Sequence, residues 1–194
     1  MNWFTADTHA FHANIIKHCH RPFDSVEEMN ETLIDHINER VGENDTLYHL
    51  GDFSFGPRRS IEIQMERAVE FRKAIKCKRI VLIEGNHDHL TPVPQFRRLF
   101  DRIHPMLQIH DTTTNQKIVL CHFAMRVWNA SHYGRWHLYG HSHGRLEEQE
   151  FSQNSFSFDV GVDCHDFYPI NSNEVAEEMQ RRREAGVTAP CQTD

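Results

Sequence analysis

Five apolar runs along the chain, NWFTA, TLYHL, RIVLIE, KIVLC and WHLY, read as strands, and each one empties into a polar motif. The motifs, in order, are Asp7-Thr8-His9, Gly51-Asp52, Gly85-Asn86-His87-Asp88, His122 and Gly140-His141-Ser142-His143. RIVLI is apolar at successive positions, as in a strand covered on both faces. Between the strands the period changes. Residues 11–18 predict a short helix broken by Arg21-Pro22. Ser25 with Glu28 three residues on has the capping-box spacing. Met29, Leu33, Ile37 and Val41 then recur every fourth position, the stripe of an amphipathic helix that ends at Gly42. A charged helical segment runs from Pro57 to about Lys76, with Met65, Ala68, Val69 and Ile75 on its apolar side. Pro92 and Pro94 punctuate a loop before a short helix around Phe96 to Phe100. Residues 103–110 and 117–122 predict a strand pair about the polar turn TTTNQ. FSFDVGVD alternates as a strand, and residues 173–184 predict a terminal helix.

Helices and strands alternate early and strands dominate late. That pattern predicts an α/β fold of sheet layers flanked by helices. No internal repeat or linker divides the chain. The expectation is a single domain over residues 1–186 with a disordered tail at 187–194.

Composition narrows the function classes. The net charge of −7 offers no basic footprint for nucleic-acid binding. The five cysteines are widely spaced, with no C-x-x-C pair, which argues against a zinc knuckle or disulfide framework. The N-terminus leads straight into a strand without a leader pattern, and no run approaches the ~18 apolar residues of a membrane helix. The expectation is a cytoplasmic protein with no membrane partner.

Histidine is abundant, at 16 residues, and the informative ones stand at strand ends. Residues just past the C-terminal ends of strands share one rim of a sheet, where α/β folds keep their sites. Asp7 and His9, two apart on an extended segment, face one side. Asn86 offers a neutral carboxamide oxygen to a metal, or serves as a turn residue tolerant of left-handed geometry. His141 and His143 are spaced to reach two neighbouring ions. Mixed nitrogen and oxygen donors without thiolate fit Mn, Fe, Zn, Ni or Co. Cys121 points to the opposite strand face and reads as core. Two adjacent metals usually mean phosphoryl or hydrolytic chemistry.

Taken together, D-x-H, G-D, G-N-H-D, a single His and G-H-x-H in this order resemble the calcineurin-like metallophosphoesterase family, over residues 2 to 165. The chain is similar to a compact bacterial and phage branch in which F-x-x-D-T-H, H-A-N-I-I, Y-H-L-G-D-F and H-L-Y-G-H-S-H-G recur. The resemblance implies a four-layer αββα sandwich of two facing mixed sheets with helices outside. It implies that Asp7, His9 and His143 hold one divalent ion and that Asn86, His122 and His141 hold the other. Asp52 bridges the pair with one carboxylate oxygen on each ion, and Mn²⁺ is the favoured metal. Two anionic ligands for two dications leave the site net positive, which suits a phosphate.

The implied reaction is in-line attack on phosphorus by a metal-bridging hydroxide. His87, oriented by Asp88, is the expected general acid, the two forming the catalytic pair. Substrate contacts are expected from the loop after His122. Arg126 clamps a phosphate oxygen there, and Trp128 or Tyr133 stacks on a base, the other reading being that Trp128 packs the loop. His12 contacts a substrate phosphate or caps its own helix. Asp163 and Asp166 read as structural. The chain has no room for a cap domain, so the pocket is expected to be open, for a small phosphodiester, a nucleotide or an exposed nucleic-acid end. A phosphodiesterase is the first reading and a phosphomonoesterase the second. A nuclease and a non-catalytic scaffold of the same fold follow.

Overall fold

The computed structural model describes residues 1–146 and 155–188. The elements are β1 (Asn2–Thr5), α1 (Ala13–His18), α2 (Val26–Arg40), β2 (Thr46–His49), α3 (Ile61–Ala74), β3 (Arg79–Ile83), α4 (Pro94–Arg97), β4 (Arg102–His104), β5 (Met106–Asp111), β6 (Gln116–Cys121), β7 (Trp136–Tyr139), β8 (Ser157–Asp159), β9 (Ile170–Asn171) and α5 (Ser172–Glu184). They form two sheets, ordered β4-β3-β2-β1-β9 and β5-β6-β7-β8. β1 to β4 run parallel and β9 antiparallel. In the second sheet β5 and β6 are antiparallel, whereas β6, β7 and β8 are parallel. This is the mixed, two-sheet α/β sandwich expected from the resemblance.

The period of two along each strand builds the layers. Trp3, Leu47, Ile80 and Leu82 face the helices and meet Met29, Leu33 and Ile37 of α2 and Ala68 and Phe71 of α3. Phe4, Leu50 and Ile83 face the other way, onto Ile118, Leu120, Leu138 and Phe158 of the second sheet. Val175 and Met179 of α5 join this inner core. Ser25 caps α2 by accepting from the Glu28 N–H, while the Glu28 carboxylate accepts from the Asp24 N–H rather than that of Ser25. Asn171 and Glu174 complete a reciprocal capping box on α5.

The register sets the rim. Thr5 lies level with His49, and His49 with Leu82, so the loops after β1, β2 and β3 leave the sheet at the same height. Just beyond, Ala6 bridges to Gly161, which joins the two sheets at this edge.

Three expectations are corrected. Residues 103–110 are not one strand. Arg102–His104 pairs with β3 in the first sheet, and Met106–Asp111 pairs with β6 in the second. Pro105 lies between them, where a residue lacking an N–H suits a change of sheet. FSFDVGVD stops being a strand at Asp159, because Gly161 turns across to Ala6 and Val162–Cys164 forms a 3₁₀ turn. The two-residue β9 was not expected. Val187 is buried in the inner core, and residues 189–194 of the expected tail lie outside the described residues. Among the described residues no helix is long and apolar enough to cross a membrane.

Candidate metal centre

The loops after β1 and β2 are stitched by backbone bonds. The Asp7 N–H donates to the Gly51 carbonyl at 3.0 Å and the His9 N–H to that of Asp52 at 2.9 Å. These bonds hold an unusual backbone. Asp7, His9, Asp52, His141 and His143 all have positive φ, between 46° and 68°. Non-glycine residues are uncommon there, at of order 1–3 kcal/mol each, and they persist only where surroundings over-determine them. Gly51, at φ +95°, has no alternative: a Cβ on it would lie 2.5 Å from Nδ1 of His122.

The side chains converge around Asp52. Its Oδ2 lies 3.3 Å from Nε2 of His9 and 3.6 Å from Nε2 of His122. Its Oδ1 accepts from the His87 N–H at 2.8 Å. Oδ2 therefore faces both histidines, while Oδ1 is turned to the third loop. On the first side, donor atoms of Asp7, His9 and His143 lie within 4.8 Å of one another. On the other, those of Asp52, His122 and His141 do the same. Asn86 Oδ1 joins the second group, 3.0 Å from Nε2 of His122.

Each histidine is presented by what holds its other nitrogen. His122 Nδ1 donates to the Leu50 carbonyl at 2.7 Å, which turns Nε2 to the centre. His143 Nδ1 donates to Asp163 Oδ2 at 2.7 Å, and a ring nitrogen of His143 also lies within 4.8 Å of donor atoms of Asp7 and His9. Asp163 is itself forked by Arg21, Nε and Nη2 each at 2.8 Å. Arg21 also donates to the Asp7 and Thr8 carbonyls, so one guanidinium braces the first loop and the His143 partner together.

The electrostatics call for a cation. Burial, then the charges of Asp159 and Asp52, raise the Asp7 carboxyl well above its usual range. Asp7 Oδ2 accepts from the His141 N–H at 2.8 Å, but Oδ1 is buried with no hydrogen-bond partner. Buried charge is stable only when compensated, and an orphaned carboxylate oxygen beside imidazoles fits a divalent ion. Burial pushes His9 well down, which keeps its imidazole in the neutral, metal-binding form. Burial alone would lower His143 too, yet its bonds to Asp163 and Cys19 and the Asp7 charge carry it up to about 10. A cation at Nε2 would displace that proton while the Nδ1–H bond to Asp163 stays. The residues present thus fit divalent ions at both groups.

Other expected site residues fall less neatly. Asp88 does not hold His87. Its carboxylate accepts from the N–H groups of Asp52 (2.8 Å), Phe53 (3.0 Å) and Gly85 (2.8 Å), which locks the second loop to the third. Burial and the Asp52 charge, opposed by those bonds, leave it raised to about 7. Trp128 packs the loop: it is buried, and its indole N–H donates to the Arg135 carbonyl at 2.9 Å. That leaves no face for stacking on a ligand. Arg126 and Tyr133 are exposed on the same loop. His12 stands at the start of α1 without capping it; its ring stacks on Phe55 at 3.8 Å and lies 5.6 Å from that of His9.

Sequence reasoning missed Arg21, whose partner is 142 positions away, and took it only as a helix breaker. Asp163 and Asp159 carried a weak signal, as acids interrupting an apolar alternation. Asp159 accepts from Ser142 Oγ and the Gly144 and Gly161 N–H groups, bracing the loop of His141 and His143.

No family model matches the chain. It is 29% identical to an uncharacterized protein of Methanocaldococcus jannaschii over 92% of this chain and 91% of that one. It is 26% identical to the Gene 66 protein of Mycobacterium phage D29, covering 87% of this chain and 92% of the other. Among solved structures, a protein of unknown function from Aquifex aeolicus superposes with a TM-score of 0.69 at 23% identity, over 92% of this chain and 98% of that one. That last likeness shows a shared fold along nearly the whole chain.

Proposed function

We propose that this chain is a two-metal phosphoesterase that prefers phosphodiesters. The observation that carries the reading is Asp52 Oδ2, set between His9 and His122 with a donor group on each side. Asp7, His9 and His143 would hold one divalent ion and Asn86, His122 and His141 the other, with Asp52 shared and Mn²⁺ the first metal to load. Such a pair supplies a water of lowered pKa and neutralises charge on the phosphoryl oxygens.

The protein's own residues do the rest. His87 is half-buried, 5.3 Å from His9 ring to ring, and its backbone is pinned to Asp52 Oδ1. Among the described residues its imidazole makes no hydrogen bond, so it is available to give a proton to the departing oxygen. The ring pair of His12 and Phe55 backs it. Burial lowers His12 to about 4, so it stands there uncharged. Asn86 and His141 are exposed, and an open rim admits an ester with a substituent on either side.

The test is hydrolysis of bis(p-nitrophenyl) phosphate and p-nitrophenyl phosphate by metal-stripped, Mn²⁺-reloaded protein. The diester should be cleaved faster, and Asp52→Asn should be inactive with reduced metal content. His87→Ala should keep its metal and lose about 10²–10⁴-fold in turnover on a diester with a poor leaving group. Preference for the monoester would make the chain a phosphatase; inactivity on both at full metal loading would overturn the reading.

A further inference from the structure

A groove of about 400 Å³ lies beside the centre, lined by Arg58, Ile61, Gln64, His89, Leu90 and Val93. Gln64, His89 and Leu90 also line a narrow cleft that contains His87, so the groove opens from the His87 side of the metal pair. The His87 and His89 rings are 6.3 Å apart. A leaving group that took a proton from His87 would have this groove within its reach.

The lining has two characters. Its floor is apolar, with Leu90 buried and Val93 half-buried. Ile61 is 56% exposed at the rim, a large apolar side chain left in water on the first turn of α3. Its polar end is basic. Arg58 is exposed and, among the described residues, has no ion pair or hydrogen bond, and it stands close enough to His89 to help burial depress that imidazole. In a chain of net charge −7, this guanidinium stands at the end of an apolar trough. Guanidinium groups bind phosphate by paired, charge-assisted hydrogen bonds.

Resting on the phosphodiesterase reading above, we infer that this groove receives the leaving half of the substrate, and that this half is a nucleoside bearing a further phosphate, as at the end of a single nucleic-acid strand. The sugar and base cover Leu90, Val93 and Ile61, and the next phosphate meets Arg58. A peptide leaving group brings no obligatory anion to that position, whereas a nucleotide chain brings one per residue. The overall negative charge then disfavours long duplexes while the groove selects a strand end.

The probe is a pair of thymidine dinucleotides, one with a terminal phosphate on the leaving nucleoside and one without, prepared in both polarities. In the Mn²⁺-loaded protein the phosphorylated member of one polarity should show a kcat/KM about tenfold higher, carried by KM, the size of one charge-assisted bond. Arg58→Ala should bring that ratio close to one, and Arg58→Lys should restore part of it. A ratio of one in the unsubstituted protein, a ratio that Arg58→Ala leaves intact, or faster cleavage of a phosphoserine peptide overturns the inference. Calorimetric binding of the same pair to the His87→Ala protein separates the two claims. Phosphate-dependent, Arg58-dependent binding without any turnover in the parent protein sinks the phosphoesterase reading and keeps the groove. Equal binding of the two probes sinks the groove alone.

Discussion

The two halves of the centre are built differently. Asp7 and His9 are buried and His143 is half-buried, whereas Asn86 and His141 stand in solvent and only His122 is buried beside them. The first half is braced by a buried ion pair, Arg21 with Asp163, and brings an anionic ligand of its own. The second has neutral ligands apart from the shared Asp52, and a carboxamide where the first half has a carboxylate. One half is a fixed socket and the other an open coordination edge. On the two-metal reading proposed above, the difference predicts tighter retention of an ion in the first and easier exchange in the second.

The largest effect should come from the brace. Arg21→Ala breaks the buried ion pair and leaves Asp163 only its bond from His143, a loss of about 3–5 kcal/mol. It should lower the unfolding midpoint in urea and reduce bound metal from two ions to one. An equal loss of stability in Asn86→Ala would erase the distinction between the halves. Next, stepwise chelation of the Mn²⁺-loaded protein should release one ion well before the other. Asp163→Asn should weaken the retained ion about 10–100-fold, as second partners of ligating histidines do. Asn86→Ala should weaken only the early one. Both are read by metal competition with a fluorescent chelator.

Acid should separate the halves a third way, because each is seated on a buried neutral histidine. His49 donates to Thr8 Oγ1 under the first half at 2.9 Å, and Thr8 Oγ1 donates to the Phe53 carbonyl. His137 accepts from the Met125 N–H at 3.1 Å, under the loop that follows His122. Burial lowers His137 to about 4, against two backbone bonds, and burial with His122 lowers His49 to about 3. The unfolded chain binds these protons near pH 6.5, so the contribution of these two histidines is intact above that pH. It falls by about 1.4 kcal/mol per pH unit for each histidine as the pH drops toward the folded values. His137 protonates first and then cannot accept from Met125, so protection of the Met125 amide against hydrogen exchange should fall as the pH drops toward 4. Undiminished protection there would count against this seat. The smallest effect serves as the reference. Ser25→Ala should cost α2 about 1 kcal/mol and leave metal stoichiometry unchanged.

The strand ends were legible in the sequence because apolar runs of four to six residues stop abruptly at acids, histidines and glycines. All seven expected ligands stand at the rim for that reason, since level registers carry them there together. What escaped notice was nonlocal or too short to have a period. Arg21 and Asp163 carry no mark of each other. β9 spans two residues, fewer than one alternation. Met106 to His110 continues the pattern of Arg102 to His104 closely enough that only Pro105 betrays the change of sheet. Asp88 was misassigned because adjacency in sequence to His87 implied adjacency of side chains. Its neighbours in space are backbone N–H groups of another loop.

The five left-handed ligand positions have a consequence for lineages rather than for single molecules. At Asp7, His9, Asp52, His141 and His143 the side chain opposes the conformation that its own backbone adopts. Glycine or asparagine would sit at these positions with less strain. In a descendant that abandons the chemistry but keeps the sandwich, those five sites should drift to glycine and asparagine first. His122, whose φ is ordinary and whose ring is held by the Leu50 carbonyl, should linger as a fossil of the lost site.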